Sequence, residues 1–322
     1  MDASESGDYI VGCLYMVMVL ILIVPCSFVL KLFKTDSQLK GVACYRIMFH
    51  IGVTDLLQLL MHFVAGPFTI CQCMHSSPIN KIVGGLLSAA WVTLIPLTML
   101  LAFNRVITIC APTFTAYMFG PRALTLQLAI CWLWGGTFLV SYWTPWVGVV
   151  YYPEAYTWDY DANLVYSRFV KRAEFYTILA QMVVVAGCYV VIVGYRIQMR
   201  WELQSSGVRK EVSLMFQAAL ISGYTTFTLV VWHTYALWLS DTKWTYMAIN
   251  CLWIGNGGIN PVIYFMLNHT LKRKLFHKLG FDIEATGDVI SKAVKKPTDL
   301  RKENKKQKNY ELELESVGSN GE

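Results

Sequence analysis

Seven long apolar runs, parted by short polar connections, cover residues 9–267; they span 9–33, 42–67, 82–109, 123–150, 175–200, 212–240 and 244–267. A helix of about 20 apolar residues crosses a bilayer core, and lipid tolerates only helices or closed barrels, because every backbone N–H and C=O there must be paired internally. The pattern predicts an all-α membrane protein, a seven-transmembrane helix bundle. Beyond it, Leu271, Leu275, Phe276 and Leu279 interleave with Lys272, Arg273, Lys274 and Lys278 at helical spacing. This predicts a short amphipathic eighth helix over 268–280, lying on the surface with its basic face toward anionic membrane lipids. The remainder, 281–322, is polar and rich in Lys, Glu and Asn, and is expected to be a disordered tail.

Charge orients this bundle. Lys31, Lys34, Lys40 and Arg46 gather where the first run gives way to the second, and Arg196, Arg200, Arg209 and Lys210 where the fifth gives way to the sixth, which predicts both connections to be cytoplasmic. Residues 1–8 are acidic, with neither a basic n-region nor a small-residue cleavage site, so they read as an extracellular N-terminus before a first span. Seven crossings then put the C-terminus in the cytoplasm. The 322-residue chain is 55% hydrophobic and 15% charged, with mean hydropathy +0.44, which excludes an ordinary soluble domain. Its net charge of +6 is gathered in particular connections and in the tail, which argues against nucleic acid as a partner. No nucleophile, base and orienting group stand at a readable spacing outside the spans, so an enzyme is not expected.

Within this frame a few polar residues stand out. Arg105 is the sole formal charge in 82–109, with Asn104 before it and Pro112 seven positions later. Near the end of its run it either snorkels to headgroups or serves as a switch. Asp55 sits near the centre of the second run, where a carboxylate is costly and must be paired or turned into the bundle, so a functional role is expected. His50 and His62 share that helix, and each reads as a satisfied polar group. Cys71, Cys73 and His75 form half of a metal motif on the outer side, where a disulfide or free thiols are the plainer readings. The outer connection 151–172 holds Tyr151, Tyr152, Tyr156, Trp158, Tyr160 and Tyr166, which fit either an interfacial aromatic belt or a lid over a pocket.

Taken together, seven runs, Asp55 in the second, Asn104-Arg105 closing the third, and Asn260-Pro261-Val262-Ile263-Tyr264 closing the seventh before an amphipathic segment resemble the rhodopsin-like G-protein-coupled receptors. Tyr45-Arg46-Ile47-Met48-Phe49 before Asp55, and Ala102-Phe103-Asn104-Arg105 after Trp91, look most similar to the nematode serpentine chemoreceptors of class T. The resemblance implies a plasma-membrane receptor, in a sensory cilium for a chemosensory member, that couples a small-molecule ligand to nucleotide exchange on a heterotrimeric G-protein. It implies that Arg105, beside Asn104, holds the resting state and then meets the G-protein. Tyr195 and Tyr264 match tyrosines that turn inward on activation, with Asn260 and Pro261 in the same switch. Asp55, Asn256 and Asn260 match a buried polar pocket for water or sodium.

Several positions depart from that pattern. Asn104 replaces the common Asp, which removes an intrahelical restraint on Arg105 and implies higher basal activity. Leu94 replaces a serine, and the first run has no Asn in its inner half, both of which count against sodium; no other cofactor is expected. The fifth and sixth runs lack proline, although Trp232 lies in the stretch of the usual toggle. Asn80 replaces the cysteine at the top of the third helix, and 151–172 holds none, so the familiar disulfide is missing. Leu87 replaces the acid of amine receptors and argues against charged biogenic amines; Ile254 replaces the retinal lysine. The inward candidates His62, Ser88, Trp91, His233 and Trp253 suit a small, weakly polar ligand. The alternative, a small multi-span transporter or lipid scramblase, lacks the expected internal repeat.

Overall fold

The computed structural model describes residues 3–73, 78–199, 206–267 and 271–274. The chain runs through α1 (Ala3–Thr35), α2 (Ser37–Lys40), α3 (Ala43–Cys71), α4 (Pro78–Cys110), α5 (Thr115–Met118), α6 (Pro121–Tyr142), α7 (Ser167–Gln198), α8 (Ser206–Thr234) and α9 (Lys243–Leu267). Apart from the single turns α2 and α5, these helices form the seven-helix bundle. Five of them, α1, α3, α4, α6 and α7, are long and apolar enough to cross a membrane. The others, α8 and α9, have 29 and 25 residues and match them in length.

The central post is α4. Leu87, Val92, Thr93, Ile95 and Leu97 point to different sides of its axis, yet none is more than 2% exposed. A helix buried on every side must lie inside the bundle, and α4 packs against α3, α6, α7 and α8. Elsewhere close approach depends on glycine. At the α1–α3 crossing a Cβ on Gly12 would lie 2.7 Å from the Gly66 carbonyl oxygen, and one on Gly66 would lie 2.9 Å from that of Gly12. Paired glycines let the two backbones meet.

Helix ends shift from the hydropathy pattern by up to several residues, α1 already starting at Ala3, and three boundaries bear on the outer end of the bundle. The fourth apolar run continues to Val150, but α6 stops at Tyr142. After Pro145, which has no N–H to extend a helix, the chain turns into a hairpin of β1 (Val149–Tyr152) and β2 (Thr157–Tyr160), antiparallel with Val149 opposite Tyr160 and Tyr152 opposite Thr157. A buried strand is as apolar as a buried helix, so hydropathy alone merges them. Next, α7 begins at Ser167, ahead of the fifth run, which places Glu174, just before that run, inside a helix. Lastly, α8 gives way at Thr234 to a 3-10 turn, Tyr235–Leu237, short of Ser240.

Residues 1–269 make one compact unit that holds the bundle; of the second unit, 270–322, one helical turn at 271–274 is described. The rest of the amphipathic segment expected over 268–280, and the tail 281–322, lie outside the described residues.

Candidate functional site

Under the hairpin the helices leave a pocket whose empty space, the part open to solvent included, is about 410 Å³. Ser88 and Trp91 reach it from α4, Trp253 from α9, and Thr228, Leu229, Trp232 and His233 from α8. The hairpin closes it with Val149, Trp158, Asp159 and Tyr160, and α7 contributes Glu174. Four of the five sequence candidates, Ser88, Trp91, His233 and Trp253, therefore share one cavity. His62 stands behind the wall, its ring 5.1 Å from that of Trp253 and edge-on to it. It is fully buried and neither ring nitrogen has a hydrogen-bond partner, unlike the satisfied group expected. His50 does meet that expectation, its Nδ1 accepting from Trp132 Nε1 at 3.0 Å.

Trp253 is the junction of the site. Its ring lies 5.8 Å from Trp91 and 6.3 Å from Trp232, and its Nε1–H donates to Gln58 Oε1 on α3 at 2.9 Å. Buried polar groups need such partners, and an indole that satisfies its N–H across two helices is fixed in orientation.

The hairpin is held from three directions. Asn80 of α4 bonds both main-chain groups of Tyr151. Thr69 Oγ1 of α3 lies 2.5 Å from Tyr151 Oη. Tyr15 Oη of α1 donates to the Tyr156 carbonyl at 2.7 Å. Tyr156 itself has a left-handed backbone, φ 58°, uncommon for a side chain of its size. Its hydroxyl donates to Asp8 and accepts from Lys243 Nζ at 3.1 Å. Burial first, and then the Asp8 carboxylate, push this phenol's pKa up, so it stays a donor. Tyr151, Tyr156 and Trp158 are buried, and of these Trp158 lines the pocket; Tyr166 is exposed.

Glu174 is the residue that sequence reasoning missed. It is 5% exposed, and Tyr142 Oη donates to its Oε2 at 2.8 Å, as does Tyr160 Oη. The missed signal is a stripe: Glu174, Ile178, Met182 and Val185 are buried at helical spacing, which continues the core face of α7 back ahead of the fifth run. Gln58, bonded to a residue far along the chain, carries no such signal.

A second polar group lies deeper in the bundle. Asp55 is fully buried, and Asn260 Nδ2 donates to its Oδ2; Thr225 Oγ1 donates to Asn256 Oδ1 at 3.0 Å. Asp55 Oδ1, Asn260 Oδ1 and Asn256 Nδ2 are buried without a protein partner. Two acceptors and one donor suit a water, which donates twice and accepts once. A sodium ion takes oxygen ligands, and one of the three orphan atoms is a nitrogen donor, which suits water better. Tyr264 is buried beside Phe33, with ring centroids 6.1 Å apart, and its hydroxyl makes no hydrogen bond; Pro261 is also buried. Tyr195 is half-buried on α7.

Arg105 lies on α4 at the end of the bundle away from the hairpin. It is buried, as is Asn104, and its guanidinium meets the Cys44 thiol of α3. That thiol in turn lies 3.4 Å from Met48 Sδ. This burial departs from an arginine that snorkels to headgroups. Cys71 and Cys73 form a disulfide, His75 lies outside the described residues, and no group of metal-ligating side chains is found among the described residues.

No curated protein matches the chain. Among solved structures it is similar to the crystal structure of squid rhodopsin, at 14% identity and a TM-score of 0.70 over 86% of each chain, a likeness of fold. Residues 3–286 match the family model described as serpentine type 7TM GPCR chemoreceptor Srt, and the chain belongs to that family of seven-helix membrane receptors, not to an enzyme family.

Proposed function

We propose that this chemoreceptor takes a small, weakly polar molecule into the cavity under the hairpin and passes its occupancy to nucleotide exchange on a cytosolic heterotrimeric G-protein. The hairpin end and the N-terminus face outward across the plasma membrane, and the Arg105 end and the C-terminal tail face the cytosol. One observation carries the reading: Trp253, Asn256, Asn260 and Tyr264 follow one another at spacings of three and four on α9. Such residues share a helix face. The cavity wall, the partner of Asp55 and the tyrosine of the switch motif thus belong to one rod.

A ligand that repacks Trp253 biases the position of α9 against α3, because the Trp253–Gln58 and Asn260–Asp55 bonds both cross that boundary. Activation is then a population shift between two helix packings, driven by a ligand that prefers one of them. Asp55, Asn256 and Asn260 form the adjustable polar contact, and Arg105, with Asn104, Tyr195, Pro261 and Tyr264, forms the output. The test is a screen of small odorants on full-length receptor reconstituted with G-protein heterotrimers, reading GTPγS uptake. A ligand-dependent rise that is lost in Trp253→Ala is expected. Failure of every G-protein class to respond to any saturably bound ligand would overturn the reading.

A further inference from the structure

We infer that Glu174 seats the polar head of the ligand and that this head is a protonated amine on a small apolar frame, which replaces the weakly polar ligand proposed above; the inference rests on the cavity being the ligand site. Both phenols that reach Glu174 fall on one oxygen, Oε2, so Oε1 has no donor among the described hydrogen bonds. The other charges of the wall are matched. Asp159 Oδ1 holds Lys171 Nζ at 2.6 Å, and that ammonium lies 4.8 Å from the Trp232 ring centroid. His233 makes its Nδ1 contact with the Leu229 carbonyl at 3.0 Å and stacks on Phe175 at 4.3 Å.

One ammonium, that of Lys171, therefore serves both carboxylates of the wall, Asp159 directly and Glu174 from further off. A carboxylate withdrawn from water is costly until a positive charge meets it. Trp91 and Trp253, which also line the wall, suit the same kind of ligand, because an aromatic quadrupole attracts an ammonium. An anion would meet like charge, and an alcohol would bring a donor without the charge. Leu87 thus rules out an amine held from α4, while α7 offers the carboxylate instead.

The test uses full-length receptor in lipid nanodiscs and matched amine, alcohol and carboxylate probes on phenylethyl, isobutyl and cyclohexyl frames. Binding is read by tryptophan fluorescence. On at least one frame the amine should bind about tenfold tighter than the alcohol, and the carboxylate should not bind. Glu174→Gln should bring the amine and the alcohol to equal affinity, and Glu174→Asp should keep the preference. An alcohol or carboxylate that binds as tightly as its amine, or a preference that survives Glu174→Gln, overturns the inference. If the probes bind without regard to charge, this inference fails and the cavity reading stands; if none binds on any frame, both fall.

Discussion

Asn80 and Tyr151 exchange two hydrogen bonds: Asn80 Nδ2 donates to the Tyr151 carbonyl at 2.9 Å, and the Tyr151 N–H donates to Asn80 Oδ1 at 2.7 Å. A side-chain amide thus acts as a strand partner, tying the first turn of α4 to β1 at the place where rhodopsin-like receptors commonly use a cysteine. One turn on, Gly84 lets the Val149 carbonyl rest against the helix, where a Cβ would collide with it. The hairpin is fastened here without a covalent bond.

Replacing Asn80 with Ala should loosen this fastening. The change leaves a buried N–H and a buried C=O unpaired, each costing about 1–3 kcal/mol unless water reaches it. A lower thermal midpoint is expected in nanodiscs, together with faster hydrogen exchange over 149–160. An unchanged midpoint and unchanged exchange would mean that Thr69 and Tyr15 suffice to hold the hairpin.

How far the pattern of residues discloses this molecule depends on what each feature needs. The helices are legible because lipid forces long apolar runs. Ser88, Trp91, His233 and Trp253 are legible as inward, outer-half positions once the runs are set. The hairpin is not, since Val149 and Val150 are apolar in either state. Glu174 is hidden because a charge at the edge of an apolar run reads as solvent-facing, whereas Tyr142 and Tyr160, brought in by α6 and β2, bury it. The Trp253–Gln58 bond joins residues 195 positions apart and leaves no local trace.

His62 offers a test in the opposite direction. Both of its nitrogens are buried without a partner, so Leu, of similar volume, should remove a desolvation cost of about 1–3 kcal/mol. The thermal midpoint of His62→Leu should rise or hold. Loss of the edge contact to Trp253 should still alter the ligand response. A midpoint lowered by several degrees would mean that the imidazole is held by partners of its own.

Asp55→Asn separates charge from shape. An amide at 55 still accepts from Asn260 Nδ2, so the receptor should fold and reach the surface. Removing the charge should change the balance of the two packings by about 0.5–2 kcal/mol, a roughly two- to thirtyfold change in basal GTPγS uptake. Basal and ligand-driven uptake both equal to those of the unmodified receptor would remove Asp55 from the switch.

The Arg105 end completes the series. The guanidinium rests on the Cys44 thiol, a neutral and weak acceptor, where an adjacent aspartate would give a charge-assisted bond about twice as strong as a neutral one. Asn104→Asp should lower basal uptake by restoring a carboxylate beside Arg105, and Cys44→Ala should raise it, by a few-fold at most for a contact worth about 1 kcal/mol. Arg105→Ala should abolish ligand-driven uptake while the receptor remains at the cell surface, since the group lost is the one proposed to meet the G-protein. The three variants are decisive as a set. If Arg105→Ala still drives exchange at the normal rate, the guanidinium takes no part in coupling, and the opposite shifts at Asn104 and Cys44 should vanish with it.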